Sequence, residues 1–243
     1  MFLNQGIGGH GLDAKTVCLT FDDGPGETAS PGGPGPRTLE LARFLAERKI
    51  TATFFMIGKS VKQYPDIVRE VSQLGHLVGN HTYDHADLCN RSPDSDSAVS
   101  QITRTEELFR NVPTFVRLFR PPHGAWSVSL AAELNSVDEI KSYVGPVLWD
   151  IPTSKNDAKT ADWMFWRDGK SAEDCADAYI LDLKTAGHGG IILMHDSLHE
   201  DLPRSRMYPL DMAKLVVDWL QKSGYEFVPL VSIPQLARAQ HSS

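Results

Sequence analysis

Several short segments carry residue types that perform acid–base and metal chemistry: Asp22-Asp23 in TFDDGP, His81 and His85 in HTYDH, Arg120 in RPPHG, Asp150 after VLW, and His195-Asp196 in ILMHD. Two imidazoles four residues apart lie on one side of a helical turn, which suits capture of a zinc-like ion. Two surface histidines at a helix start share that spacing, so a third, oxygen ligand carries weight, and Asp23 is the natural candidate. Two histidines and one carboxylate leave a fourth position open for water, as catalytic zinc requires. Adjacent strand residues point to opposite sides of the chain. One carboxylate of Asp22-Asp23 can then bind a metal while the other faces the water on it; a polar strand end capping the Gly24-Pro25 turn is the plain alternative.

An arginine near a catalytic carboxylate holds it in place and favours its charged form. Arg120 opens a proline-stiffened loop and is either that cation or a surface residue before a turn. His195 closes an apolar run; it is either a hydrogen-bonded core residue or, with a reference pKa near neutral, a group able to protonate a leaving amine. Asp162 and Asp150 are its candidate partners. Trp149, Trp163 and Trp166 either stack on sugar rings or cap the core.

The elements that must position these residues alternate. Strands are expected at 17–21, 51–57, 76–79, 115–120, 143–149, 190–195 and 226–230, and helices at 38–49, 65–74, 97–110, 127–134, 171–186 and 209–223. Pro65 suits a first helical turn, Gly75 a stop, and Ser127 an N-cap. Such alternation predicts a parallel sheet, and about seven units in one domain suggest a closed or nearly closed β/α barrel, with an open doubly wound sheet as the second choice. The chemical residues then fall at the C-terminal ends of strands, the rim where β/α barrel sites lie. Insertions at 26–36 (Gly/Pro-rich) and 152–161 (polar) interrupt the rhythm; the first directly follows TFDDGP and is expected to shape a groove.

The chain has 243 residues, 41% of them hydrophobic, and a net charge of -7, which fits one globular domain with a sizeable core and disfavours nucleic acid as a partner. No apolar run approaches the ~20 residues of a membrane span. The N-terminal MFLNQGIGGHGLDAK lacks the basic start and apolar core of a signal peptide, leaving a cytoplasmic protein or a processed one. Cys18, Cys89 and Cys175 leave at least one free thiol, with one bridge possible.

Taken in order, TFDDGP, HTYDH, RPPHG, Asp162-Trp163 and ILMHD resemble the five motifs of the polysaccharide deacetylases, carbohydrate esterase family four, over about residues 17–233. The resemblance implies a single-domain, distorted β/α barrel over 14–238, with an extension at 1–13 and a tail at 239–243. It implies hydrolysis of N-acetyl groups on sugars, with one divalent ion (zinc, or cobalt or nickel) held by Asp23, His81 and His85. Asp22 becomes the general base anchored by Arg120, and His195 the general acid oriented by Asp162. Pro121, His123, Trp163 and Leu193 become the substrate contacts, Leu193 lining the pocket for the acetyl methyl. His123 stands where the family usually has Tyr, a change compatible with its backbone N–H serving an oxyanion. The stretch before Asp162 is longer than usual, which keeps Asp150 and Asp157 open as substitutes. The family also implies a secreted, periplasmic or cell-envelope setting. An O-acetyl xylan esterase, a silent carbohydrate-binding domain and an amidase for a small non-sugar substrate are the competing readings.

Overall fold

The computed structural model describes residues 1–28, 33–92, 94–152, 161–198 and 206–237. Its strands are β1 (Phe2–Ile7), β2 (Thr16–Asp22), β3 (Thr53–Met56), β4 (Leu77–Asn80), β5 (Phe115–Phe119), β6 (Gly145–Val147), β7 (Gly190–His195) and β8 (Glu226–Phe227). The helices are α1 (Thr38–Glu47), α2 (Gly58–Gln63), α3 (Pro65–Gln73), α4 (Ala98–Leu108), α5 (Val128–Asn135), α6 (Asp162–Arg167), α7 (Ala172–Ala186) and α8 (Pro209–Lys222). The main sheet is parallel in the order β5-β4-β3-β2-β7, with β8 also on β2; β1 and β6 form a separate parallel pair. Isolated parallel bridges Leu118–Val144 and Ile151–Ile192 carry the ring past both edges of that sheet. The sheet thus bends toward a barrel, and among the described residues its ladders do not close one. A single-domain, distorted barrel of parallel strands that is not fully closed agrees with the expected fold.

Side-chain parity explains the site. On β2, Val17, Leu19 and Phe21 pack outward with Leu41, Leu45 and Val216, whereas Cys18 packs inward with Phe55, Leu118, Val147 and Ile191. Thr20 and Asp22 share the inward parity of Cys18. The same count from Ile191 on β7 brings Leu193 and His195 inward, and from Leu118 on β5 it brings Arg120 inward. Parallel register sets Asp22 beside both Phe55 and His195. Each fully buried Phe or Leu in the two shells contributes roughly 1.5–3 kcal/mol, and that packing fixes the strand ends.

Residues 1–13, read above as an extension, contain β1, whose Phe2 and Ile7 are buried. Ser127 caps α5 as expected, accepting from the Leu130 N–H, and Ser171 and Asp174 form a capping box at α7. All three cysteines are free thiols, so the possible bridge does not form. Most of the insertion at 152–161 and the tail at 239–243 lie outside the described residues. Among the described residues no helix is long and apolar enough to cross a membrane.

Candidate active site

Asp22 ends β2 as a buried carboxylate. Arg120, fully buried one residue past β5, donates from Nη1 to Asp22 Oδ1 at 2.8 Å and to Thr20 Oγ1 at 2.8 Å. Its Nε and Nη2 reach the carbonyls of Val147 and Leu148, each at 3.1 Å, and its guanidinium lies 4.3 Å from the Phe55 ring centroid. Burial lowers the Arg120 pKa, and the Asp22 charge opposes that shift. A charge this dry is tolerable only when paired and bonded on several sides. The arginine therefore holds Asp22 in one orientation, with Oδ2 turned toward His81 Nε2 at 3.7 Å.

At Asp23 the chain leaves the extended conformation, with φ of 74°, and the strand alternation stops. The expectation that Asp22 and Asp23 face opposite sides fails for that reason: the turn brings Asp23 back to the same cluster. Asp23 Oδ1 lies 3.5 Å from His81 Nε2 and 3.2 Å from His85 Nε2. The helical turn expected to align the two imidazoles is also absent. Residues 81–85 form a loop in which Thr82 and His85 have φ of 66° and 64°, and that left-handed geometry aims both rings inward.

His81 Nδ1 lies 2.8 Å from the Arg120 carbonyl. A carbonyl only accepts, so Nδ1 carries the hydrogen, and in the neutral ring the lone pair sits on Nε2, facing Asp23. One ligand atom from each of Asp23, His81 and His85 lies within 4.8 Å of the others. An anionic oxygen converging with imidazole nitrogens is the donor set of a catalytic zinc-type site, and the group can hold a divalent cation. Burial works to raise the Asp23 pKa, but the His85 charge, the close approach of the His81 and His85 rings, and the His195 charge together hold it well below the usual range.

His195 ends β7. Its Nδ1 lies 2.6 Å from Asp162 Oδ1, and its backbone N–H donates to Asp162 Oδ2 at 2.7 Å. Asp162, at the start of α6, is fully buried and also accepts from the Trp163 N–H at 2.9 Å. Tyr179 Oη braces the pair, accepting from the Asp162 N–H at 3.3 Å and donating to the Leu193 carbonyl at 2.9 Å. Burial disfavours the imidazolium, yet the Asp162 charge and hydrogen bond, with Asp23 and Asp22 beyond, push the His195 pKa up to about 10. Asp150 does not take this role. Its Oδ2 instead accepts the N–H groups of Gly9 and Ile191 at 2.7 and 2.8 Å. Asp157 lies outside the described residues.

The expected substrate residues surround this rim. Pro121 is buried after Arg120, and Leu193 is buried on the inward face of β7 two residues before His195. His123 adopts φ of 58°, and its exposed ring meets that of His85 edge-on at 4.7 Å between centroids. Trp163 is half-buried, 5.4 Å from the Arg167 guanidinium. Trp166 is core, and Trp149 is half-buried, where a Cβ at Gly124 would come within 3.0 Å of its ring. In the 26–36 insertion, the Gly35 N–H donates to the Met207 carbonyl at 2.8 Å. The sequence reading missed Thr20 as a partner of Arg120. The signal was available, since a threonine two residues before Asp22 on an otherwise apolar strand must share its face.

The polysaccharide deacetylase family model matches residues 9–138. A chitooligosaccharide deacetylase of Azorhizobium caulinodans is 32% identical over 224 residues, covering 89% of this chain and 93% of its own. The peptidoglycan-N-acetylglucosamine deacetylase PgdA of Listeria monocytogenes is 30% identical over 89% of this chain, which spans 38% of that longer protein. Among solved structures, the peptidoglycan deacetylase PdaC of Bacillus subtilis is similar with a TM-score of 0.64 at 26% identity, covering 94% of each chain. The Bc1960 peptidoglycan N-acetylglucosamine deacetylase shares the fold with a TM-score of 0.69 at 24% identity, covering 94% of this chain and 91% of that one.

Proposed function

The chain belongs to the polysaccharide deacetylase family, and from that premise we propose that it hydrolyses the acetamide of N-acetylhexosamine units in a glycan of the chitin-oligomer or peptidoglycan type. Acetate and a free amine are the products. The observation that carries the reading is the meeting, at one strand-end rim, of the Arg120-held Asp22, the Asp23–His81–His85 group and the Asp162-held His195.

Amide hydrolysis needs a base to take a proton from water and an acid to give one to the departing nitrogen. Asp22 is the proposed base: Arg120 occupies Oδ1, so Oδ2 is the oxygen left to face the attacking water. Asp23, His81 and His85 are the proposed ligands of one divalent ion, zinc first, with cobalt and nickel served by the same donor types. When bound, such an ion polarises the acetyl carbonyl and eases deprotonation of water. His195 is the proposed acid, holding its proton on Nε2 because Nδ1 is committed to Asp162. Proton transfer to the nitrogen lets the C–N bond break with the electron pair leaving on a neutral amine. The backbone N–H of His123 is the proposed donor to the developing oxyanion. Leu193 lines the methyl pocket, and Pro121 and Trp163 form its walls. A peptidoglycan-type substrate lies in the cell envelope, and this reading puts the enzyme there.

The test is acetate release from matched N- and O-acetylated oligosaccharides with added zinc or cobalt. Release from the N-acetylated set supports the reading. Release from acetylated xylan alone moves the assignment to an esterase. No turnover of any acetylated sugar leaves a silent binding domain or an amidase for a small non-sugar substrate.

A further inference from the structure

The loop between the two histidines has an unusual backbone to satisfy. Thr82 and His85 are left-handed, and a β-branched residue such as Thr82 adopts that conformation only when its surroundings impose it. Every buried N–H and C=O in such a loop needs a partner from elsewhere. The His81 N–H donates to the Met56 carbonyl at 3.1 Å, and the carbonyls of Thr82 and Tyr83 accept from the Gly58 and Lys59 N–H groups that open α2, at 2.9 and 2.7 Å. The Thr82 N–H donates to Asn80 Oδ1 at 3.0 Å. The next two N–H groups, of Tyr83 and Asp84, converge on one atom, Gln101 Oε1, at 2.8 and 3.2 Å.

Gln101 lies on the buried stripe of α4 with Ala98, Ile102 and Thr105, and is 1% exposed. An amide there is costly unless its oxygen is bonded, and an apolar side chain would serve packing alone. The bonds it makes run to the metal-ligand loop. We propose that Gln101 is a positioning residue for the cation site: its side-chain oxygen fixes the Tyr83–Asp84 backbone, and through it the separation and aim of the His81 and His85 imidazoles. This rests on the ligand assignment above. His81 is independently anchored through Nδ1 on the Arg120 carbonyl. Loss of Gln101 therefore releases chiefly His85, the ligand at the far end of the loop.

The experiment compares the parent with Gln101→Met, which keeps length but loses the strong acceptor, and Gln101→Glu, which keeps it. Each purified, chelator-stripped protein is confirmed folded by circular dichroism. Its zinc affinity is then measured by competition with a chromophoric chelator, and amide deuterium exchange is followed over 81–85 without metal. Gln101→Met is expected to weaken zinc binding about 10- to 100-fold, the usual scale for residues that orient a ligand, and to speed exchange at Tyr83 and Asp84. Gln101→Glu is expected to stay within about threefold of the parent, because a carboxylate accepts both N–H groups. A folded Gln101→Met protein with parental zinc affinity overturns the inference, as does a Gln101→Glu protein equally defective. If Gln101→Met does not fold, Gln101→Asn, too short to reach both N–H groups, is held to the same criterion. Zinc affinity that falls in His85→Ala but not in the Gln101 variants overturns this inference alone. A parent that binds no zinc overturns the ligand assignment and the inference with it.

Discussion

Replacing Asp162 with asparagine isolates what the buried carboxylate does for His195. With its pKa pushed up to about 10, His195 is charged across the working range; without Asp162 the strongest support for that shift is gone, and the ring returns toward the ordinary histidine value of about 6.5. At a pKa of about 10, roughly 99% of His195 carries the proton at pH 8; at 6.5, roughly 3% does. Between pH 6 and pH 8 the protonated fraction in the variant falls about 25-fold, while in the parent it barely moves. A divalent cation beside Asp23 opposes the imidazolium and moves both curves to lower pH without erasing their separation. The amide also mismatches its surroundings. Both Asp162 oxygens accept from N–H donors, so an NH₂ must face a donor on one side. The assay is kcat for acetate release at saturating substrate from pH 5.5 to 9. The deficit of Asp162→Asn relative to the parent should grow by about an order of magnitude between pH 6 and pH 8. A deficit of constant size at every pH would refute the reasoning, because it would assign Asp162 a purely geometric role.

Asp22→Asn should lower kcat about 100- to 10,000-fold with a native-like circular dichroism spectrum, and should lower the urea midpoint as well because the buried Arg120 charge loses its carboxylate; near-parental acetate release removes Asp22 from the base role. Arg120→Met strands the Asp22 carboxylate in a dry site and should cost about 3–5 kcal/mol in urea unfolding, a loss under about 1 kcal/mol contradicting the buried-pair account. In the metal-free protein the raised His195 pKa means that the native state binds the proton more tightly than the unfolded chain. That contribution is full below about pH 6.5 and is lost as pH rises through about 10. The urea-midpoint gap between the parent and His195→Gln should therefore narrow from pH 6 to pH 10.5, and a widening gap reverses the sign of the argument.

Much of the site was legible because strand parity is rigid. Once VCLTF is a buried strand, Thr20 and Asp22 must share the face of Cys18, and the same count places Arg120 and His195. The readings that failed involve backbone conformations the residue types do not announce. Asp23, Thr82 and His85 all take positive φ; Asp and His visit that region more often than most residue types but still in a small minority of cases, and a β-branched Thr does so rarely. Regular strand and helix periodicities therefore misplaced their side chains, although the structure brings the residues that the resemblance pointed to together at one rim. β1 escaped notice because only its ends, Phe2 and Ile7, are buried while the middle faces solvent, which gives no alternation. α2 has six residues and α6 six, too short for a helical period to register. Gln101 did leave a trace: with Ala98, Ile102 and Thr105 it repeats at the spacing of a buried helix face, and a polar residue on such a stripe must have a partner.

The most direct test of the central claim is anomalous diffraction at the zinc edge from crystals soaked in zinc. The account predicts one strong peak about 2.0–2.2 Å from an Asp23 carboxylate oxygen, His81 Nε2 and His85 Nε2, with Asp22 and His195 on either side of it. A peak bound by other residues, or none at this cluster, would contradict it.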